Sequence, residues 1–187
     1  MIELWLIRHG QTDWNVEGRF QGSEDVPLNY TGREQARKLA KKLDGNSFSA
    51  IFSSDLLRAK ETAEIIATKL DLPLFIDKRL QEINQGDWEG VLFTEIKEKY
   101  PEEIIHRKED PVFFRPPGGE SVEEVSKRIT SIVNEISRTF EDEKILIVSH
   151  GLALSILICL TKNIPLADAY KHIPDNANPA IVYWDNN

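Results

Sequence analysis

Residues 2–10 are Ile2-Glu3-Leu4-Trp5-Leu6-Ile7-Arg8-His9-Gly10, an apolar run that ends in a cation, an imidazole and a glycine. The apolar part predicts a buried β-strand, because a short run of branched and aromatic residues bounded by polar groups packs well inside a sheet. Arg8 and His9 then stand at the carboxyl end of that strand. The first strand of the chain is therefore expected to deliver chemically active side chains.

The same arrangement occurs at two later points in the chain. A second buried strand over 144–149 runs straight into His150 and Gly151, and a third over 49–53 leads into a helix whose first turns carry Arg58. In open α/β sheets, ligands bind at the carboxyl ends of the strands. We therefore expect two imidazoles and two guanidiniums to converge over one pocket.

Composition limits the classes of function. The 187 residues carry a net charge of -8, with 41% hydrophobic and 29% charged residues, which is typical of a soluble globular protein. The acidic balance argues against nucleic acid as the main partner. No apolar run is long enough to cross a bilayer and no signal peptide is recognisable, so we expect a cytoplasmic protein without a membrane partner. The single cysteine, Cys159, lies in an apolar stretch and is expected to be structural.

Strand-like and helical patterns alternate, which predicts an α/β sheet in a single domain over 1–187. Capping boxes at 31–34 and 121–124 predict two helix starts, and Ser53 or Ser54 is expected to cap a third helix. The segment 85–119 is less regular, and we interpret it as a helical insertion beside the sheet edge that acts as a lid. The predicted strands are Ile2 to Ile7, Ala50 to Ser53, Leu74 to Ile76, Ile145 to Ser149 and Ile181 to Trp184.

The chemistry of the converging residues favours a phosphoryl group. Guanidinium forks such as those of Arg8 and Arg58 match phosphoryl oxygens and never lose their charge, so the pocket favours a dianion over a metal cation. Positive neighbours disfavour protonation of His9, which leaves a neutral nitrogen able to attack phosphorus. His150, if protonated, would donate hydrogen bonds to the phosphoryl oxygens. No metal and no cofactor is expected.

Transfer of a phosphoryl group to a histidine also requires a proton for the departing oxygen. Glu82 is our candidate for that proton donor, since it follows the strand at 74–76 and precedes the turn-rich segment 86–90. Asp87 and Glu89 are alternatives for the same role.

Taken together, these blocks resemble the histidine phosphatase superfamily, the phosphoglycerate mutase-like proteins. They occur in order as 6–12 with Asn15, then 53–63, Glu82 and 148–151. The resemblance implies a three-layer α/β/α sandwich with a mostly parallel central sheet. It also implies His9 as the phosphorylated nucleophile, Glu82 as proton donor, and Arg8, Asn15, Arg58 and His150 as phosphate-binding residues.

Within the superfamily, residues 18–22 with 25–28 resemble the α-ribazole phosphatases and the related small broad-specificity phosphatases. This resemblance implies a small phosphorylated metabolite as partner, with Gln21, Gly22 and Gly151 next to the substrate. The substrate itself and the oligomeric state stay open, because the motif residues hold only the phosphoryl group.

Two other functions remain alternatives. A cofactor-dependent phosphoglycerate mutase usually has a longer, more basic insertion, whereas this one offers only Arg107, Lys108 and Arg115 among apolar and acidic residues. A non-catalytic phosphoester-binding module would not need His9 and Glu82 together. Hydrolysis of a phosphomonoester through a phosphohistidine is therefore the favoured function.

Overall fold

The structure, a computed structural model, describes residues 1–185. Within that range the chain forms strands β1 (Ile2–Arg8), β2 (Ala50–Ser53), β3 (Leu74–Ile76), β4 (Lys144–Ser149) and β5 (Ala180–Trp184). They make one sheet in the order β3-β2-β4-β1-β5. All neighbours run parallel except β1 and β5, which are antiparallel. The predicted mostly parallel sheet is confirmed.

Helices flank both faces of this sheet. Their bounds are α1 (Asp13–Glu17), α2 (Tyr30–Leu43), α3 (Leu57–Leu70), α4 (Phe93–Lys99), α5 (Pro101–Glu109), α6 (Val122–Thr139) and α7 (Gly151–Thr161). Short 3₁₀ turns occur at Lys78–Leu80, Gly86–Trp88 and Leu166–Lys171. None of the helices within residues 1–185 combines the length and apolar character needed to span a membrane.

The central strands are buried on both sides, as expected where helices cover a parallel sheet. On one side, Leu6 and Ile147 pack with apolar residues of α6 and α7. On the other side, Ile7 and Val148 pack with residues of α2 and α3. Because neighbouring strand residues point to opposite faces, this alternation divides the interior into two apolar layers. The three-layer α/β/α sandwich is confirmed.

Two predicted helix starts need correction. Helix α2 is capped by Asn29, whose side chain accepts from the Gly32 amide at 2.9 Å, so Thr31 already lies inside the helix. Neither Ser53 nor Ser54 caps α3. The amide of Leu57 at its first turn instead donates to Asp25 at 2.7 Å, a residue far away in sequence. The Asn29 cap is local and lies two residues before the predicted one, whereas the Asp25 contact depends on the fold, which local spacing does not reveal.

The capping box of α6 is confirmed. The Ser121 hydroxyl accepts from the Glu124 amide at 3.2 Å, and the Glu124 carboxylate accepts from the Ser121 amide at 3.0 Å. Both first-turn donors are satisfied reciprocally, which fixes where this long helix begins.

The turn after β1 lies tightly against the start of α2. A Cβ atom added to Gly10 would collide with the backbone of Gly32, and one added to Gly32 would collide with the backbone of Gln11. The Gln11 amide also donates to the Gln35 side chain at 2.8 Å. This close approach of two backbones fixes the position of His9 relative to α2.

The insertion at 85–119 is helical, as predicted, and contains α4 and α5. The Phe93 amide at the start of α4 donates to the Gly18 carbonyl, and the residues flanking the insertion are joined by a hydrogen bond from the Glu120 amide to the Asn84 carbonyl. Within the insertion, Trp88 is fully buried and packs near Phe20 and Phe114. That the insertion acts as a lid, and that the chain is a single domain, stay predictions.

Candidate active site

The carboxyl ends of β1 and β4 bring two histidines together. The strands are in register with Arg8 opposite Ser149, and the His9 amide donates to the Ser149 carbonyl at 3.0 Å. The residue that follows each strand is a histidine, and the ring centroids of His9 and His150 are 5.3 Å apart. Residues 141 positions apart in sequence meet at one edge of the sheet, as the pattern predicts.

The His9 ring has one nitrogen committed and one free. Its Nδ1 lies 2.7 Å from the Gly10 carbonyl oxygen, which can only accept, so Nδ1 carries the proton. This leaves Nε2 as the nitrogen with a lone pair. Burial, reinforced by the positive charges of Arg58 and Arg8, holds the pKa of His9 well below its usual range. His9 is therefore neutral at pH 7, as the sequence predicts.

His150 is fully buried, and neither of its ring nitrogens has a hydrogen-bond partner within residues 1–185. Burial and, next, the charge of Arg58 hold the pKa of His150 well below its usual range. The sequence analysis considered a protonated His150, whereas the buried ring is neutral at pH 7. A neutral ring still offers one N–H donor, and a bound dianion would favour its protonation.

Arg58 comes from the first turn of α3 and is only 1% exposed. Its terminal nitrogens donate to the carbonyls of Gly22 at 2.7 Å and Glu24 at 2.6 Å. Its Nε is buried without a partner. Burial lowers the pKa of Arg58 to about 10, so the guanidinium is charged at pH 7. The fork is held by two backbone carbonyls, and its Nε–H stays available for a further acceptor.

Arg8 is the second cation at this edge. One terminal nitrogen donates to the Pro174 carbonyl at 3.1 Å, and its Nε is buried without a partner, as in Arg58. Burial lowers the pKa of Arg8, while the negative charge of Glu82 acts in the opposite direction. The loop after the last 3₁₀ turn therefore borders the site. In the same loop, the Asn176 side chain donates to the His9 carbonyl at 2.7 Å.

Glu82 lies against the amino terminus of α7. One carboxylate oxygen accepts from the Leu152 amide at 3.1 Å, and the other accepts from Ala153 at 3.1 Å and Ile83 at 3.0 Å. The His150 side chain does not cap this helix, so Glu82 supplies the acceptor from a distant loop. This fixes the carboxyl group beside the strand end that carries His150.

Asn15 is positioned by a capping box that the sequence analysis did not identify. Its side-chain oxygen accepts from the Thr12 amide at 3.1 Å, while the Thr12 hydroxyl accepts from the Asn15 amide at 3.2 Å. The Thr12 hydroxyl also lies 3.0 Å from the Gln21 side-chain oxygen. These contacts hold Asn15 and Gln21 on the same side of the pocket.

One cavity of about 270 Å³ collects these groups. Every site residue predicted from the sequence except His150 lines it, and His150 is buried next to the His9 ring. Among the alternatives for the proton donor, Asp87 and Glu89 do not line it. The predicted residues in the lining are Arg8, His9, Asn15, Gln21, Gly22, Arg58, Glu82 and Gly151.

Other lining residues were missed. Arg107 of α5 stands over the Tyr170 ring with its central carbon 4.0 Å from the ring centroid, and over the Trp88 ring at 5.6 Å. Phe93 and Arg107 come from the insertion and Tyr170 from the last 3₁₀ turn, where the sequence has no strand-end pattern to mark them. The missed lining residues are Arg19, Phe20, Gln85, Phe93, Arg107, Leu152, Tyr170 and Ile173.

The donor set suits an anion. The buried Nε–H groups of Arg8 and Arg58 and the one N–H of the neutral His150 ring lack acceptors within the described residues. Within the described part of the chain, no group of three or more His, Cys, Asp or Glu side chains is arranged to hold a metal ion. The site is therefore a positively charged, partly desolvated pocket. It contains the free Nε2 of His9 and the Glu82 carboxyl group, which is held in a fixed position.

Comparison with known proteins agrees with this geometry. The family model for the histidine phosphatase superfamily (branch 1) matches residues 4–187. Phosphoserine phosphatase 1 of Hydrogenobacter thermophilus is 32% identical over 185 residues, which is 99% of this chain and 88% of that protein. The probable phosphoglycerate mutase GpmB of Salmonella choleraesuis is 36% identical over 168 residues, covering 88% and 77% respectively.

A solved structure extends the similarity to three dimensions. The α-ribazole phosphatase of Shigella flexneri superimposes with a TM-score of 0.88 at 32% identity, covering 98% of this chain and 91% of that one. The resemblance seen in the strand-end motifs thus holds for nearly the whole chain, which belongs to the histidine phosphatase superfamily (branch 1).

Proposed function

We propose that this protein is a metal-independent phosphomonoesterase that works through a phosphohistidine on His9. The observation that carries the proposal is the set of unused buried donors, the Nε atoms of Arg8 and Arg58 and the ring of His150, around the neutral ring of His9. Buried donors without acceptors are costly, and a phosphoryl group would satisfy them. Small phosphorylated metabolites are the expected substrates.

In the first step, His9 Nε2 attacks the phosphorus atom, so that an N–P bond forms while the bond from phosphorus to the leaving oxygen breaks. The hydrogen bond from Nδ1 to the Gly10 carbonyl keeps the ring oriented for this attack. Arg8, Arg58, Asn15 and His150 stabilise the charge on the equatorial oxygens. Glu82 gives its proton to the departing oxygen, which leaves as an alcohol.

In the second step, Glu82, now ionised, accepts a proton from a water molecule as that water attacks phosphorus. The N–P bond breaks, inorganic phosphate is released, and His9 and Glu82 return to their starting forms. The fixed position of the Glu82 carboxyl group, held by three backbone amides, suits one residue to both transfers.

The finer choice concerns the substrate. α-Ribazole 5′-phosphate is a candidate because residues 18–22 resemble the α-ribazole phosphatases, and a solved α-ribazole phosphatase has the same fold. Phosphoglycerate mutase activity is the alternative, since a probable mutase is among the relatives. The pocket residues named above hold a phosphoryl group in either case, so a substrate panel decides.

The test begins with p-nitrophenyl phosphate in the presence of EDTA, using wild type and His9→Ala. We expect hydrolysis by wild type, none by the variant, and a phosphoenzyme from radiolabelled substrate that is labile to acid and mapped to His9. α-Ribazole phosphate, sugar phosphates, phosphoserine and phosphoglycerates complete the panel.

Other outcomes would replace the proposal. Full turnover by His9→Ala would rule out a phosphohistidine intermediate on His9. Absence of turnover on the entire panel, with phosphate binding retained, would indicate a binding module. Interconversion of 2- and 3-phosphoglycerate that depends on the bisphosphate would establish the mutase.

A further inference from the structure

The segment that carries Glu82 is held by one arginine outside the pocket. Arg128 of α6 donates to the carbonyls of Arg79 at 2.9 Å, Gln81 at 2.6 Å and Glu82 at 2.9 Å. Its guanidinium thus contacts three of the four residues leading up to and including the proposed proton donor. Arg128 does not line the cavity.

A carboxylate completes this arrangement. Glu120 precedes the N-cap residue of α6. Its carboxylate accepts hydrogen bonds from the Arg128 Nε at 3.2 Å and from a terminal nitrogen at 3.0 Å, which makes a two-point contact. The same carboxylate accepts from the Asn84 amide at 3.0 Å, and the Glu120 amide donates to the Asn84 carbonyl. Arg128 therefore holds the chain at and before Glu82, and Glu120 holds it just after.

The pair is suited to this purpose. The Arg128 and Glu120 side chains are 18% and 30% exposed, so the contact is shielded more than a surface ion pair. A guanidinium has five donors in a fixed plane, and here three contacts go to backbone carbonyls and two to the Glu120 carboxylate. Such a fork defines both the location and the direction of the loop.

We propose that Arg128, oriented by Glu120, is a positioning residue that aims the Glu82 carboxyl group at the oxygen of the leaving alcohol. This inference rests on the proposed function, because it assumes that Glu82 is the proton donor. A shift of about 1 Å in a catalytic group can cost on the order of 100-fold in rate. Loss of the fork is expected to cause a shift of that kind while leaving the hydrogen bonds of the phosphate-binding side chains in place, although, besides burial, the charge of Arg128 also helps to hold the pKa of His150 low.

The leaving group provides a readout that simple destabilisation would not move. An alkyl alcohol is a poor leaving group and needs its proton during bond cleavage, whereas 2,4-dinitrophenolate leaves without one. Misplacement of Glu82 should therefore slow phosphorylation of His9 by an alkyl phosphate far more than phosphorylation by 2,4-dinitrophenyl phosphate. A smaller fraction of folded enzyme would slow both substrates equally.

The experiment compares kcat/KM for the best alkyl phosphate of the panel with kcat/KM for 2,4-dinitrophenyl phosphate in Arg128→Met, because this ratio reports only the steps up to formation of the phosphohistidine. We expect the alkyl value to fall by roughly 10- to 100-fold and the aryl value to change little. The inhibition constant of inorganic phosphate should stay near that of wild type. Lys127→Met is the matched control, since this exposed neighbour on α6 pairs with Glu123.

Glu120→Gln is the second variant and decides the question if Arg128→Met does not fold. It keeps the side-chain shape but weakens the hold on Arg128, so a smaller loss confined to the alkyl substrate is expected. Equal losses on both substrates in these variants would overturn the positioning role.

Glu82→Gln separates this inference from the proposed function. If Glu82→Gln loses alkyl phosphatase activity selectively and Arg128→Met does not, only the positioning role is wrong. If Glu82→Gln matches wild type on both substrates, Glu82 is not the proton donor and the proposed mechanism is wrong as well.

Discussion

Two groups of residues that border the cavity are built in different ways. The first group, here called the phosphate end because we propose that it holds the phosphoryl group, consists of His9, Arg58 and His150, which are almost fully buried and stand at or just after the carboxyl ends of central strands. The second group, here called the outer end, consists of Phe93 and Arg107 from the insertion and Tyr170 from a late 3₁₀ turn, and Phe93 is 52% exposed. The phosphate end thus belongs to the sheet, and the outer end belongs to segments added to it.

This difference separates chemistry from substrate choice. Strand ends are fixed by main-chain register, so the phosphate end has little freedom to adapt. The outer end depends on side chains of two short helices that rest on Trp88 and Phe20. We therefore expect substitutions at the phosphate end to act on all substrates alike, and substitutions at the outer end to change the preference among substrates.

Replacing the nucleophile should have the largest effect. We expect His9→Asn to reduce kcat by roughly 10⁴-fold or more on every phosphomonoester, because no other free imidazole nitrogen lines the described cavity. Phosphate binding, measured by calorimetry, should persist. His172→Gln is the control, since that histidine lies outside the cavity lining. If a His9 variant retained activity on even one substrate, the phosphate end would not serve all substrates with the same chemistry.

Arg58→Met should come next. It removes a buried fork whose unused Nε faces no acceptor, and loss of one transition-state donor costs on the order of 10²- to 10³-fold in rate. Turnover and phosphate affinity should fall together, by similar factors for aryl and alkyl substrates. Steady-state kinetics and phosphate titration would check this, and a variant equal to wild type in both would place Arg58 outside the phosphate site.

The phosphate end should also make stability depend on pH. The pKa values of His9 and His150 are held well below 6.5 by burial and neighbouring cations, whereas the unfolded chain protonates both near 6.5. Since the unfolded state then binds more protons, stability falls as the pH drops below about 6.5, by up to about 1.4 kcal/mol per histidine per pH unit.

Thermal unfolding at pH 7.5 and 5.5 measures this effect. His150→Gln should flatten the dependence, because a glutamine does not titrate. His106→Gln should leave it unchanged, since that side chain is exposed and outside the cavity. An identical pH dependence in wild type and His150→Gln would show that the buried ring is not the cause.

Arg107→Met should have the smallest effect and the most selective one. Arg107 has stacking contacts with Trp88 and Tyr170 but no hydrogen bond or ion pair within residues 1–185. We expect changes of about tenfold or less in kcat/KM that differ between substrates, with the phosphate inhibition constant unchanged. Lys108→Met, an exposed neighbour, is the control. Uniform loss across the panel would remove the distinction between the two ends.

Sequence reasoning succeeded where chemistry and strand ends coincide. An apolar run followed by Arg8 and His9 predicts both a strand and the sheet edge at which its last side chains lie. The residues of the phosphate end could therefore be predicted from the sequence. Glu82 was found only through the need for an acid, and its contact with the start of α7 was not foreseen. The antiparallel pairing of β5 was not foreseen either, because a strand pattern carries no direction.

The missed features depend on long-range contacts. Arg107 is one of several basic residues on an exposed helix, and only the folded chain sets it over the Tyr170 ring. Likewise, Asp25 accepts from the first turn of α3 because a loop brings it there. Local spacing predicts a helix start to within a few residues, but it does not identify a cap supplied from 32 residues away.

The contact between Gly10 and Gly32 has a practical consequence for directed evolution. The obstructing atoms on each side are main-chain atoms, so trimming a neighbouring side chain cannot make room for a larger residue at either position. Libraries that randomise this turn would consist mostly of unfolded clones. Randomising surface positions of α4 and α5 is the better choice, because new specificities can be selected there while the residues of the phosphate end stay unchanged.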